Sequence, residues 1–163
     1  MEVRLGIRIL NREFNMRIPV PFSARGSRRG SVRDVLRCAE KEAYRSGSSY
    51  VGTEHLLVAT LACNAAIRHR VLPPELARDV KSLRGRFLGG HRNRDTRIDR
   101  SRLPEPSEHY YLALAYMLQE QRTLGHRYAS PESLLLALAR GPDFRSATLL
   151  NGIGLDYETL RHY

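Results

Sequence analysis

The chain repeats itself. Displacing the sequence so that Glu54 falls on Glu132 also brings Leu36 onto Leu114, Glu42 onto Glu120, Gly47 onto Gly125, Tyr50 onto Tyr128, Leu56 onto Leu134, Leu57 onto Leu135 and Ala59 onto Ala137. Chance gives about one or two identities in such a window. The matched positions are also equivalent in structural role, with a glycine that ends a helix, a tyrosine in the link, an acid in the first turn of the next helix, and an inward leucine pair. Such a chain is constrained to two like halves, because each exposes an apolar face that the other can cover. The expected fold is all-α, a pseudo-twofold pair of four-helix repeats closed into one compact bundle.

The hydrophobic periods agree. From Ser31 onward Val32, Val35, Leu36, Ala39 and Ala43 form one stripe opposite Arg33, Arg37, Glu40 and Lys41. Thr53 to Ala62 reads as a second helix with Leu56, Leu57, Thr60 and Leu61 inward, and Pro74 opens another that would bury Leu76, Val80 and Leu83. The helical pattern resumes near Ser107, stops at Gly125 and restarts behind Ser130-Pro131-Glu132, an N-cap followed by proline at the first helical position. Two short helices close the chain, near Phe144 to Leu150 and Tyr157 to Leu160. The resulting division is an arm at 1–30, repeat one at 31–83, a basic linker at 84–106 and repeat two at 107–163. The arm alternates as a short β-strand would at Val3, Leu5, Ile7 and Ile9, with a second strand around Met16, Ile18 and Val20 held to an edge by Pro19 and Pro21. The linker is rich in arginine and poor in apolar residues, so it cannot bury enough surface to fold alone.

Charge and composition narrow the function classes. A hydrophobic share of 42% in 163 residues suffices for one domain with a core. The net charge of +10 is almost wholly arginine, since Lys41 and Lys81 are the only lysines. A basic excess raises affinity for any polyanion, and Arg25, Arg28 and Arg29 with the linker arginines would form a phosphate-contacting stripe. Charge alone carries no specificity, and nucleic acid is the disfavoured partner. Cys38 and Cys63 match neither a zinc pattern nor a disulfide framework and read as reduced thiols inside helices. The start lacks a secretory pattern, and no apolar run approaches the roughly 18 residues that cross a bilayer, so the expected location is the cytoplasm, away from membranes.

Catalytic signals are missing as well. There is no Gly-x-x-x-x-Gly-Lys-Ser/Thr phosphate loop, no helical His pair with an intervening Glu, and no Gly-x-Ser-x-Gly. The expectation is a chain that is not an enzyme, with no catalytic residues, no metal site and no cofactor.

Tyr50-Val51-Gly52-Thr53-Glu54-His55-Leu56-Leu57 resembles the hallmark of the Clp N-terminal (double Clp repeat) domain family, as in the unfoldases of the ClpC and ClpA type. A second copy runs from Leu124 through Ser130-Pro131-Glu132-Ser133 to Leu135, and Ala147 to Asp156 is similar to the family's closing stretch. The resemblance covers about residues 31–163. In two departures, Ser130-Pro131-Glu132-Ser133 replaces Gly-Thr-Glu-His and the stretch from Cys63 to Leu72 has degenerated. It implies a stand-alone receptor domain without the ATPase, whose partners are Clp ATPase or protease subunits, their substrates, or a peptide or small molecule. In the family the glutamates matching Glu54 and Glu132 receive the guanidinium of phosphorylated arginine. Tyr50, Thr53 and His55 would line one site, and Tyr128 and Ser130 the other. The alternative to a recruiter is a decoy that sequesters molecules aimed at the motor's own domain. Oligomeric state is left open.

Overall fold

The computed structural model describes residues 31–89 and 103–163. The arm at 1–30 and residues 90–102 of the basic linker lie outside the described residues.

Helix α1 (Val32–Ser46) starts where the Ser31 hydroxyl accepts the Asp34 N–H at 3.2 Å, satisfying a donor that the helix itself cannot. It stops at Gly47, whose φ of 72° lies in the left-handed region that favours glycine, and the Ser48 N–H then reaches back to the Ala43 carbonyl at 2.9 Å. The same stop is built at the matching place in the second half. Gly125 has φ 67°, and the His126 N–H reaches the Gln121 carbonyl at 3.0 Å. Two local signals that align in sequence therefore produce one backbone motif twice.

After α1 come strand β1 (Tyr50–Val51), α2 (Thr53–Cys63), α3 (Ala65–Val71), α4 (Pro74–Ala77) and α5 (Val80–Leu88). Strand β2 (Glu105–Pro106) pairs in parallel with β1 and leads into α6 (Glu108–Thr123), α7 (Pro131–Arg140), α8 (Arg145–Asn151) and α9 (Tyr157–Arg161). The described residues thus form an all-α bundle with one very small sheet. α1 packs on α2 and α6 on α7, and the halves meet where α2 touches α7 and α8. Leu56, Leu57, Leu61, Leu134 and Leu138 are fully buried there with Met117 and Leu150. Fully burying one such side chain is worth about 1.5–3 kcal/mol, so this shared core is what holds one half on the other.

The stretch from Cys63 to Leu72 contains helix α3, with Ile67 and Val71 buried. Two sequence expectations need revision. The helix expected from Pro74 is split, because Asp79 caps a new start by accepting the Lys81 and Ser82 N–H groups at 2.9 and 3.1 Å; Leu76 and Val80 are only half-buried while Leu83 is buried. α5 then continues to Leu88, five residues into the expected linker, because Phe87 and Leu88 are buried and Arg84 has a partner.

That partner is one of two equivalent buried acids. Glu42 accepts Arg84 through two bonds, Nε at 2.8 Å and Nη2 at 2.6 Å, and Arg45 at 3.1 Å. Its counterpart Glu120 accepts Arg140 at 3.1 Å and the Tyr157 hydroxyl at 3.0 Å. Both carboxylates are about 3% exposed, so each needs these donors to offset its lost hydration. Burial, followed by the hydrogen bond to Glu120, raises the Tyr157 phenol above its usual pKa.

Arg68 does a related service without an acid. It donates Nε to the Ala77 carbonyl at 2.8 Å and Nη1 to the Leu61 and Ala62 carbonyls at 3.0 and 3.3 Å, closing the end of α2, where a cation is favoured. The matching residue Ser146 closes α7 by donating to the Leu138 carbonyl at 2.7 Å. Replacing Arg68 with Met leaves these buried carbonyls without donors. The expected loss is about 2–4 kcal/mol, read as a lower urea midpoint with an unchanged slope.

Candidate functional site

The sequence placed its candidates at the starts of α2 and α7, and both starts are built on the same plan. At each, the third helical residue reaches back to the backbone N–H of the N-cap. His55 Nδ1 accepts the Gly52 N–H at 3.0 Å, and Ser133 Oγ accepts the Ser130 N–H at 3.0 Å. At α7 the exchange is mutual, since Ser130 Oγ also accepts the Ser133 N–H at 3.2 Å, a complete capping box. Gly52 has no side chain with which to return the bond.

The absence of that side chain decides where the acid goes. A Cβ on Gly52 would collide with the Glu54 carboxylate, which folds back over the N-cap and is 2% exposed. Ser130 has a Cβ in the matching place, and Glu132 turns outward and is half-exposed. One duplicated acid is therefore drawn in over its helix start, where the N-terminal N–H groups favour negative charge, and the other faces a groove.

Around Glu54 the remaining candidates divide by role. Tyr50 lies beside Glu54, and its ring meets His55 edge-on at 6.1 Å. Burial and then the Glu54 carboxylate raise the Tyr50 phenol above its usual pKa, while Arg145 acts in the opposite direction. His55 is fully buried, and because Nδ1 accepts a backbone N–H, the proton sits on Nε2, 3.1 Å from Ser46 Oγ. The 3.7 Å separation of Nδ1 from Glu54 Oε1 is accordingly not an ion pair. Thr53 Oγ1 accepts the Ser146 N–H at 3.3 Å and so caps α8 of the other half. Thr53 and His55 spend their polar atoms on the fold, leaving Tyr50 and Glu54 as the groups that face outward or lie next to one that does.

Around Glu132 the groove measures about 430 Å³ and is lined by Arg70 and Val71 of α3, His126 of the link, and Arg161 of α9. Ser130 Oγ lies 3.5 Å from His126 Nδ1. Tyr128 is 47% exposed and carries the Arg127 guanidinium 5.5 Å from its ring centre, so it stands at the rim.

A crosswise arrangement emerges that the sequence reading missed. Tyr50 of the first half feels the charge of Arg145 of the second half, and Glu132 of the second half shares its groove with Arg70 of the first. α8 and α3 occupy matching places in the two halves, so at each candidate point the third helix of one repeat brings an arginine toward the helix start of the other. Nothing in the pattern marks Arg70 or Arg145 among 27 basic residues. Only the packing of the halves selects them.

The chain is similar to parts of Clp proteins. It is 30% identical over 129 residues to the chaperone protein ClpC2, chloroplastic, of Oryza sativa subsp. japonica. It is 29% identical over 136 residues to the negative regulator of genetic competence ClpC/MecB of Bacillus subtilis, and 28% identical over 134 residues to the chaperone protein ClpB of Oceanobacillus iheyensis. These matches take in 78 to 80% of this chain but only 14 to 16% of the relatives. The chain is thus a homologue of a small segment of Clp proteins. No protein-family model matches it. Among the described residues no group of three or more His, Cys, Asp and Glu could hold a metal ion, and no helix is long and apolar enough to cross a membrane. The arginine stripe considered for nucleic acid falls mainly outside the described residues.

The Gly52 argument is testable by stability. Gly52→Ala drives a methyl group into the Glu54 carboxylate and is expected to cost about 1–3 kcal/mol. Adding Glu54→Ala removes the obstacle, so chemical denaturation of the double variant should show a loss clearly smaller than the sum of the two single losses.

Proposed function

We propose that this chain is a non-catalytic protein-interaction module of the Clp proteolytic system. It receives substrates or adaptors at the starts of α2 and α7, with phosphorylated arginine as the ligand chemistry. The observation that carries this reading is the open groove in which Glu132 of one half shares the lining with Arg70 of the other. A phosphorylated guanidinium is a planar cation joined to an anion. Its N–H fork suits a carboxylate, and its phosphate suits an arginine beside helix-terminal N–H groups. Glu132 with Arg70 offers this pair in an open groove. The covered counterpart is Glu54, beside the Tyr50 phenol on which the Arg145 charge acts. Similarity to a segment of Clp proteins supports placing the module in that system, where the relatives named above carry several times more chain than this one matches.

The stronger point is the Glu132 groove, since it is already open. In calorimetric titration with free phosphoarginine, Glu132→Ala and Arg70→Ala should each weaken binding by about tenfold or more, the size of a lost charge-assisted hydrogen bond. Glu54→Ala should remove a second, weaker site. Wild-type affinity in both glutamate variants would reduce the two acids to helix caps and defeat the assignment.

A further inference from the structure

The two cysteines, far apart in sequence, are neighbours in the fold. Cys63, the last residue of α2, donates its thiol to Cys38 Sγ of α1 at 2.9 Å, and both residues are half-buried free thiols. A disulfide needs about 2.05 Å between sulfurs, so roughly 0.9 Å remains to be closed. Cys63 stands at the very end of its helix, since Asn64, directly after it, has left helical geometry at φ −121° and ψ 89°. Both sulfurs line an open cleft of about 410 Å³ whose charged walls are Lys41, Arg45, Arg84 and Glu42, a net positive set.

From this geometry we infer that Cys38 and Cys63 form a reversible redox site, closed to an intramolecular disulfide by a small anionic disulfide that enters the cleft. The roles of the two sulfurs differ. Burial, followed by its hydrogen bond to Cys38, pushes the Cys63 thiol up to about 12, so Cys63 keeps its proton in the resting pair. Cys38 gives its proton to water and attacks one sulfur of the oxidant, forming a mixed disulfide and expelling the other half as a thiolate that is protonated from water, after which Cys63 gives its own proton to water. Cys63 sulfur then attacks Cys38 sulfur and expels the second half. The protein loses two protons and two electrons, and the entering disulfide takes them up to become two thiols.

The bond would tie α1 to the end of α2 and close a loop holding the Gly47 turn, β1 and the start of α2. The first docking point, with Tyr50 and Glu54, lies on that loop. Oxidation is therefore a clamp on the half of the molecule that carries the covered acid. The redox site stands on its own geometry, whether or not phosphoarginine binds.

The test uses the full folded chain with oxidised glutathione in excess. Intact mass after alkylation should show loss of two hydrogens and of both free thiols in a monomer, and peptide mapping should join the Cys38 and Cys63 segments. The melting temperature should rise by roughly 5–10 °C, as expected for a loop of this size, and fall back on reduction. Cys63→Ser should stop at the glutathione adduct on Cys38, and Cys38→Ser should react at least about tenfold more slowly. Two thiols still open to alkylation after prolonged oxidation, or a disulfide only between chains, would overturn the assignment. Because the wild-type mass decides between these results, poor folding of either serine variant leaves the test intact.

Discussion

Helices α2 and α7 lie at the centre of the molecule, and most of the structure follows from what it takes to bury a helix on nearly every side. Nine of the eleven residues of α2 are buried, including Thr53, Glu54, His55 and Thr60. A helix in water can leave its end groups to the solvent, but a buried one must find partners for them within the protein. Hence the start of α2 is closed by His55, its end by Arg68, the end of α7 by Ser146, and the start of α8 by Thr53 from across the interface. These polar contacts form the frame in which the leucine core can exist without orphaned backbone groups.

Duplication made that frame, and divergence then solved each half differently. The left-handed glycine stop is the same at Gly47 and Gly125, and each preceding helix carries a buried acid, yet Glu42 is held by arginines of α1 and α5, whereas Glu120 is held by Arg140 of α7 and Tyr157 of α9. The physical demand is the same in both halves because a buried carboxylate always needs donors. Which chain segment supplies them is free to change. The same holds at the helix starts, where one missing Cβ at Gly52 lets Glu54 fold inward while Ser130 leaves Glu132 to the groove.

Glu132 and Arg70 come from different repeats, so the groove they line exists only when the two halves are packed together. A module built this way is sensitive to anything that shifts one half on the other.

The sequence by itself determined the local features: the helices, their serine and glycine caps, the internal repeat, and the acids in the first turns of α2 and α7. These depend on backbone propensity, on groups within a few residues, and on a period that survives in one dimension. Tertiary structure decided what depends on distance through space. It drew Arg84 out of the apparent linker onto Glu42, 42 residues away, gave the degenerated stretch after Cys63 a helix to bury, and set Cys38 beside Cys63. It also turned Thr53 and His55 into structural partners while bringing Arg70 from the opposite half into the groove of Glu132. A charge or a thiol carries no local mark of its partner, because the energy that joins them comes from burial that exists only once the helices have packed.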